Sequence, residues 1–200
     1  MTNSLHLPDA VDETSAEPGT RVLHALHVAG WLSTERFEAW GAADAEPALS
    51  RLQDEGLVRL VKSPRGEMYG LTPDGTKRAT DQLTAWRGAA APEEVTRAVS
   101  ALAGFEAHDP ALKRLVTDYQ RDPDGIGERL AAFDQDAAGA VDAVGAAHPL
   151  WESYPGRLRA ALERVRGGDL TYVTSPLVES YHTVWHLAHR DMRVLCAGLT

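Results

Sequence analysis

With 200 residues, 44% of them apolar, the chain can form one large domain or two small ones with real cores. Its net charge of −9 argues against a generic coat for nucleic acid. No apolar run approaches the ~18 residues a membrane span needs, and a single cysteine, Cys196, excludes an internal disulfide; the expectation is a cytoplasmic protein in a reducing compartment with no membrane partner.

Residues 1–19 carry four acids, no base, two prolines and a glycine, and read as a disordered acidic tail. They lack both the basic start and the apolar stretch of a signal peptide. A first helix is predicted over 21–31 from the helical spacing of Val22, Leu23, Leu26 and Ala29. Ser33 or Thr34 can cap a second helix with Glu35 in its first turn, Phe37 and Trp40 on one face, and Gly41 at its end. Asp44 can cap a third, running to about 55, with Ala45, Ala48, Leu49 and Leu52 as its inner stripe and Gly56 as a left-handed stop. Two β-prone runs, 57–62 and 67–71, flank the turn Ser63-Pro64-Arg65-Gly66 and predict a two-stranded hairpin. Thr72 then caps a fourth helix, with Pro73 in its first turn, reaching to about 86.

Residues 88–92, from Gly88 to Pro92, read as a linker. Beyond it, helical stretches fall at about 93–107, 110–121, 126–147, 150–166 and 176–197. Asp109-Pro110 and Ser175-Pro176 are cap-plus-proline starts, and Gly167-Gly168 breaks the chain before the last helix. The fold class is therefore mainly α. A 20–87 domain of three helices, a two-stranded hairpin and a fourth helix precedes an all-helical bundle over 93–200.

The order of elements in 20–87 is that of a winged helix, and its wording, "LQDEGLVRL" through "SPRGEMYGLTPDGTKR", resembles the MarR-like regulators. In that family a recognition helix ends in a Leu and a Gly-Leu-Val, the wing carries an arginine, and Leu-Thr with a later Gly opens the next helix. The matching positions here are Leu52, Gly56, Leu57, Val58, Arg65, Leu71, Thr72 and Gly75. The C-terminal half is similar to a helical module that accompanies winged-helix segments in bacterial proteins related to phosphoenolpyruvate/pyruvate dikinases. That likeness rests on Phe105, Leu115, Val116, Thr117, Asp118, Gln120, Ser180, Tyr181, His182, Thr183, Val184, Trp185, His189 and Asp191. Nothing of those enzymes' catalytic activity is carried over.

A reader of this kind lays its recognition helix in the major groove and anchors on phosphates with Arg and Lys. The outward positions of the third helix are Glu46, Pro47, Ser50, Arg51, Asp54 and Glu55, of which only Arg51 is basic. The hairpin adds Arg59, Lys62 and Arg65. The candidate DNA-binding residues are thus Ser50, Arg51, Arg59, Lys62 and Arg65. Residues 20–87 carry nine charges of each sign, so a protein-contacting module is the alternative. A homodimer follows for an operator reader, and the apolar-faced segment 176–197 offers its surface.

His182, His186 and His189 share one helical face, where a metal site competes with core packing and pH sensing; packing is preferred, and no metal or cofactor is expected. Trp151, Tyr154, Tyr181, His182, Trp185 and His189, with Tyr172, could instead line a pocket for a small-molecule effector. No phosphate-binding Gly loop, Cys pair or nucleophile elbow is present, so no enzymatic activity is expected.

Overall fold

A computed structural model of the chain describes residues 17–63 and 66–199. Nearly all of the expected acidic tail, and Arg65, lie outside the described residues. The tail's last residues do not continue it: Glu17 stands at the N-cap of α1 (Pro18–Ala29), whose first turn takes Pro18. This helix buries Val22, Leu23, Ala25, Leu26 and Val28, and with them His24, before Gly30 (φ 85°) ends it.

Trp31 and Leu32, expected at the helix end and just beyond it, form a short strand, β1 (Trp31–Leu32). The second helix is not an α-helix but two 3-10 turns, Thr34–Arg36 and Glu38–Trp40. Three residues per turn align positions i and i+3, so Phe37 and Trp40 both reach the core, at 0% and 4% exposure. In α2 (Ala45–Asp54) the inner stripe is the expected one. Asp44 precedes it in a left-handed conformation (φ 56°), and its side chain does not cap. Gly56 (φ 72°) closes the helix, and the Leu57 N–H turns back to the Leu52 carbonyl at 2.8 Å.

The hairpin, β2 (Val58–Ser63) and β3 (Gly66–Leu71), becomes a three-stranded antiparallel sheet in the order β1-β3-β2. Trp31 faces Gly70, and Leu32 faces Tyr69. The hairpin of two strands is corrected to this extent. Val58 is buried, and Tyr69 and Leu71 pack on the core. Strand alternation therefore sends Arg59, Val61, Met68 and Gly70 to the other face. Thr72 ties sheet to helix: its hydroxyl accepts from the Gly75 N–H at 3.1 Å and donates to the Gly56 carbonyl at 2.8 Å.

The linker is shorter than expected, since α3 (Pro73–Ala89) and α4 (Pro92–Glu106) leave only two residues between them. Next come α5 (Asp109–Arg121) and α6 (Ile126–Ala147). A 3-10 turn at Pro149–Trp151 precedes α7 (Tyr154–Arg166) and the four-residue α8 (Thr171–Thr174). The last helix, α9 (Tyr181–Cys196), starts five residues after Pro176 because Ser180 caps it, accepting from the Thr183 N–H.

Tyr181, Val184, Trp185, Ala188, Met192 and Leu195 of α9 are each at most 3% exposed. The face expected to join two copies is thus consumed inside the chain, against α4 and α7. Both α1 and α3 also pack on α9, so one apolar core runs from Val22 to Cys196. Among the described residues no helix is long and apolar enough to cross a membrane.

Candidate functional site

Helix α2 turns Glu46, Pro47, Ser50, Arg51, Gln53, Asp54 and Glu55 to solvent, as its spacing requires. Arg51 lies 3.9 Å from Glu55 and leans back over the start of α1, where a side chain at Gly19 would strike its Nη2. Arg59 rests its guanidinium 5.1 Å from the centre of the Trp31 ring. Between them in the sheet stands Gly70, and any larger residue there would meet the indole. Such a cation–π contact is worth about 0.5–1 kcal/mol at an exposed site. Lys62 meets Glu67 at 2.7 Å, and that hydrogen bond holds its ammonium above the usual lysine range. Each of the described candidate cations thus has a local partner: Glu55 for Arg51, the Trp31 ring for Arg59 and Glu67 for Lys62.

A polar core joins α1 to the helical half. Asp191 is fully buried. Its Oδ2 accepts from Tyr154 Oη at 2.7 Å and from His24 Nε2 at 2.9 Å, and its Oδ1 accepts from Trp151 Nε1 at 3.1 Å. A buried carboxylate survives only where such donors replace water. Beside it Arg157, 7% exposed, gives Glu179 two hydrogen bonds, at 2.7 and 3.2 Å. The Arg157 guanidinium also stacks 4.5 Å from the Trp40 ring centre and 5.0 Å from that of Tyr154. Burial pushes the Tyr154 phenol well above its ordinary pKa and the nearby His148 imidazole down to about 4. Further ties cross the same junction: Arg21 to Glu152 at 2.8 Å, Arg36 to the Leu177 carbonyl, and Arg87 to the Val194 carbonyl.

The expected effector residues separate into two groups. Trp151 and Tyr154 surround Asp191. Tyr181 donates to Asp134 at 2.9 Å, and Trp185 donates to Asp109 at 2.8 Å while stacked 3.9 Å from Phe105. Each of these polar ends already has a carboxylate partner. His189 lies between Glu106 (2.8 Å) and Asp109 (3.3 Å). Together with Arg193, His189 keeps the Glu106 carboxyl below its ordinary range. Burial and the neighbouring His186 lower the pKa of half-buried His182. His182, Trp185, His186 and His189 edge a cleft of about 40 Å³, room for a few waters. Among the described residues no group of three or more His, Cys, Asp or Glu side chains could hold a metal ion.

Sequence reasoning missed the junction, yet a signal was present. Asp191 falls on the buried stripe of α9 with Val184, Ala188 and Leu195, and Arg157 falls on that of α7 with Leu158 and Ala161. A charge at a core position of a helix implies a buried partner. Comparisons of the chain with protein families, with curated proteins and with solved structures find no match.

Proposed function

We propose that residues 17–89 are a winged-helix module that reads duplex DNA in a transcription regulator, and that the helical half holds and modulates it. The observation that carries this is the order of elements: helix, short strand, turns, exposed-faced helix, hairpin, with the short strand adding to β3. In that arrangement α2 is the element offered to a major groove and the hairpin is the wing. The likeness of 52–75 to MarR-like regulators supports the same reading. Ser50 and Arg51 would face the groove, and Arg59, Lys62 and Arg65 would meet phosphates. The exposed pairs Lys62–Glu67 and Arg51–Glu55 are of the weak kind that a phosphate can displace.

A second reading, a module that contacts protein rather than DNA and regulates a cytoplasmic, phosphotransfer-type enzyme, draws on one observation. The solvent face of α2 carries Glu46, Asp54 and Glu55 against a single arginine. The deciding experiment is fluorescence anisotropy with duplexes from the protein's own upstream region, across a salt series. Each phosphate contact adds about −0.9 to the slope of log K against log salt. Arg65→Ala should flatten the slope by about one unit and weaken binding to all sequences. Binding that is absent, or insensitive to Arg51, Arg59, Lys62 and Arg65, gives the lead to the protein-contact reading.

A further inference from the structure

A groove of about 720 Å³ opens between the β1 edge of the sheet and the segment leading into α9. Trp31, Leu32 and Met68 line one side, and Pro176, Leu177 and Leu187 line the other. Trp31 is 41% exposed and Leu177 74%, so the rim is apolar and open to solvent. The size is that of sites for small organic molecules, which span about 300–1,000 Å³.

The charged side chains that line the groove are Glu35, Arg36, Glu67 and Glu179. Glu67 is paired with Lys62, and Glu179 with two nitrogens of Arg157. Glu35 accepts from the Ser33 hydroxyl at 2.7 Å, which with the charge of Arg36 holds its carboxyl below the ordinary range. Arg36 is half-buried, and its Nη2 donates to the Leu177 carbonyl at 2.8 Å. Among the described residues no carboxylate lies within ion-pair distance of Arg36. Among the described residues the buried indole N–H of Trp40, a residue that lines the groove, has no acceptor, and neither has the buried Nη1 of Arg157, whose guanidinium stacks on that indole.

A half-buried arginine with no ion pair among the described residues, held through one backbone carbonyl and set between apolar walls, leaves guanidinium nitrogens for an anionic acceptor with an apolar body. We propose that this groove binds a small amphipathic carboxylate, its charged end on Arg36 and its body between Trp31 and Leu177. The ligand would bridge the first part of the chain and the helical half, since Arg36 belongs to the 3-10 turn Thr34–Arg36 and Leu177 to the segment leading into α9. This names the effector class of the proposed regulator and rests on that reading only for the regulatory consequence; binding itself is measured without DNA.

The test is a titration of the ¹⁵N-labelled full chain with 2-naphthoate, and in parallel with 2-naphthamide, which has the same shape without the charge. The indole N–H resonances of Trp31 and Trp40 should move saturably with naphthoate while that of Trp185 stays in place. The amide should bind about tenfold more weakly, the cost of about one charge-assisted contact. Arg36→Gln should lose the same factor for the acid and abolish the acid-over-amide preference. Leu177→Asp should weaken acid and amide alike. Absence of saturable shifts at Trp31 and Trp40, equal affinity of the two probes for the wild type, or a preference that survives Arg36→Gln overturns the proposal. Failure of the DNA titration alone leaves it standing.

Discussion

Removing the Asp191 carboxylate is the sharpest perturbation of the junction between the two parts. Asp191→Ala strands the Tyr154 hydroxyl, the Trp151 indole N–H and His24 Nε2 in sites that are 1%, 0% and 5% exposed. A buried donor without a partner costs about 1–3 kcal/mol, and breaking a buried charged contact costs about 3–5 kcal/mol after relaxation. A loss of about 4 kcal/mol is expected, which for a chain of this size lowers Tm by about 8–16 °C. Asp191→Asn should cost far less. Its carbonyl oxygen can accept from Trp151, which cannot reverse its role, while its amide donates to Tyr154 and His24, which can turn into acceptors. The assay is urea unfolding followed by circular dichroism, with the slope m compared among variants to show that the folded states match. A loss below about 1 kcal/mol for Asp191→Ala, or equal losses for Ala and Asn, would refute the view that three converging donors make this carboxylate the clamp.

Gly75→Ala should destabilise by about 3 kcal/mol or more in the same assay, because a Cβ there would stand 1.9 Å from the Leu57 carbonyl oxygen, which is backbone and cannot step aside. His148 has its pKa depressed by burial to about 4, so below about pH 6.5 the unfolded chain takes up a proton that the folded one refuses; its contribution is present above that pH and about 3 kcal/mol is lost as pH falls toward 4. His148→Asn, which keeps an acceptor for the Leu150 N–H, should flatten the fall of Tm over that window; an unchanged profile would rule His148 out as its source. Cys196 is buried and its thiol is pushed up to about 11, so a disulfide reagent at mildly alkaline pH should react slowly with the folded chain and rapidly in denaturant.

Helix positions and inner faces were legible in the residues because local periodicity and punctuation decide them. The stripe Ala45, Ala48, Leu49, Leu52 is buried, Thr72 caps α3, and α6 spans Ile126–Ala147, the 126–147 of the spacing argument. Local signals failed where a distant partner decides. Trp31-Leu32 reads as a helix end until Tyr69 and Gly70 arrive to pair with it, and Ser175-Pro176 reads as a helix start until Ser180 supplies the cap.

The aromatic residues show the same division. Spacing alone assigns Trp151, Tyr154, Tyr181 and Trp185 to helices but is silent on whether they leave a space or fill one. Carboxylates from other elements, Asp191, Asp134 and Asp109, satisfy their polar ends. The apolar face of α9 looks free for a second copy as long as the chain is read linearly, and it is the chain's own α4 and α7 that cover it. The sequence by itself therefore determined where most of the helices run, the inner stripe of α2, and that the first part holds a hairpin. Only the tertiary structure decided which buried charges meet and where the groove opens, because those depend on side chains up to 167 positions apart, as His24 and Asp191 are, and no local pattern encodes such a pairing.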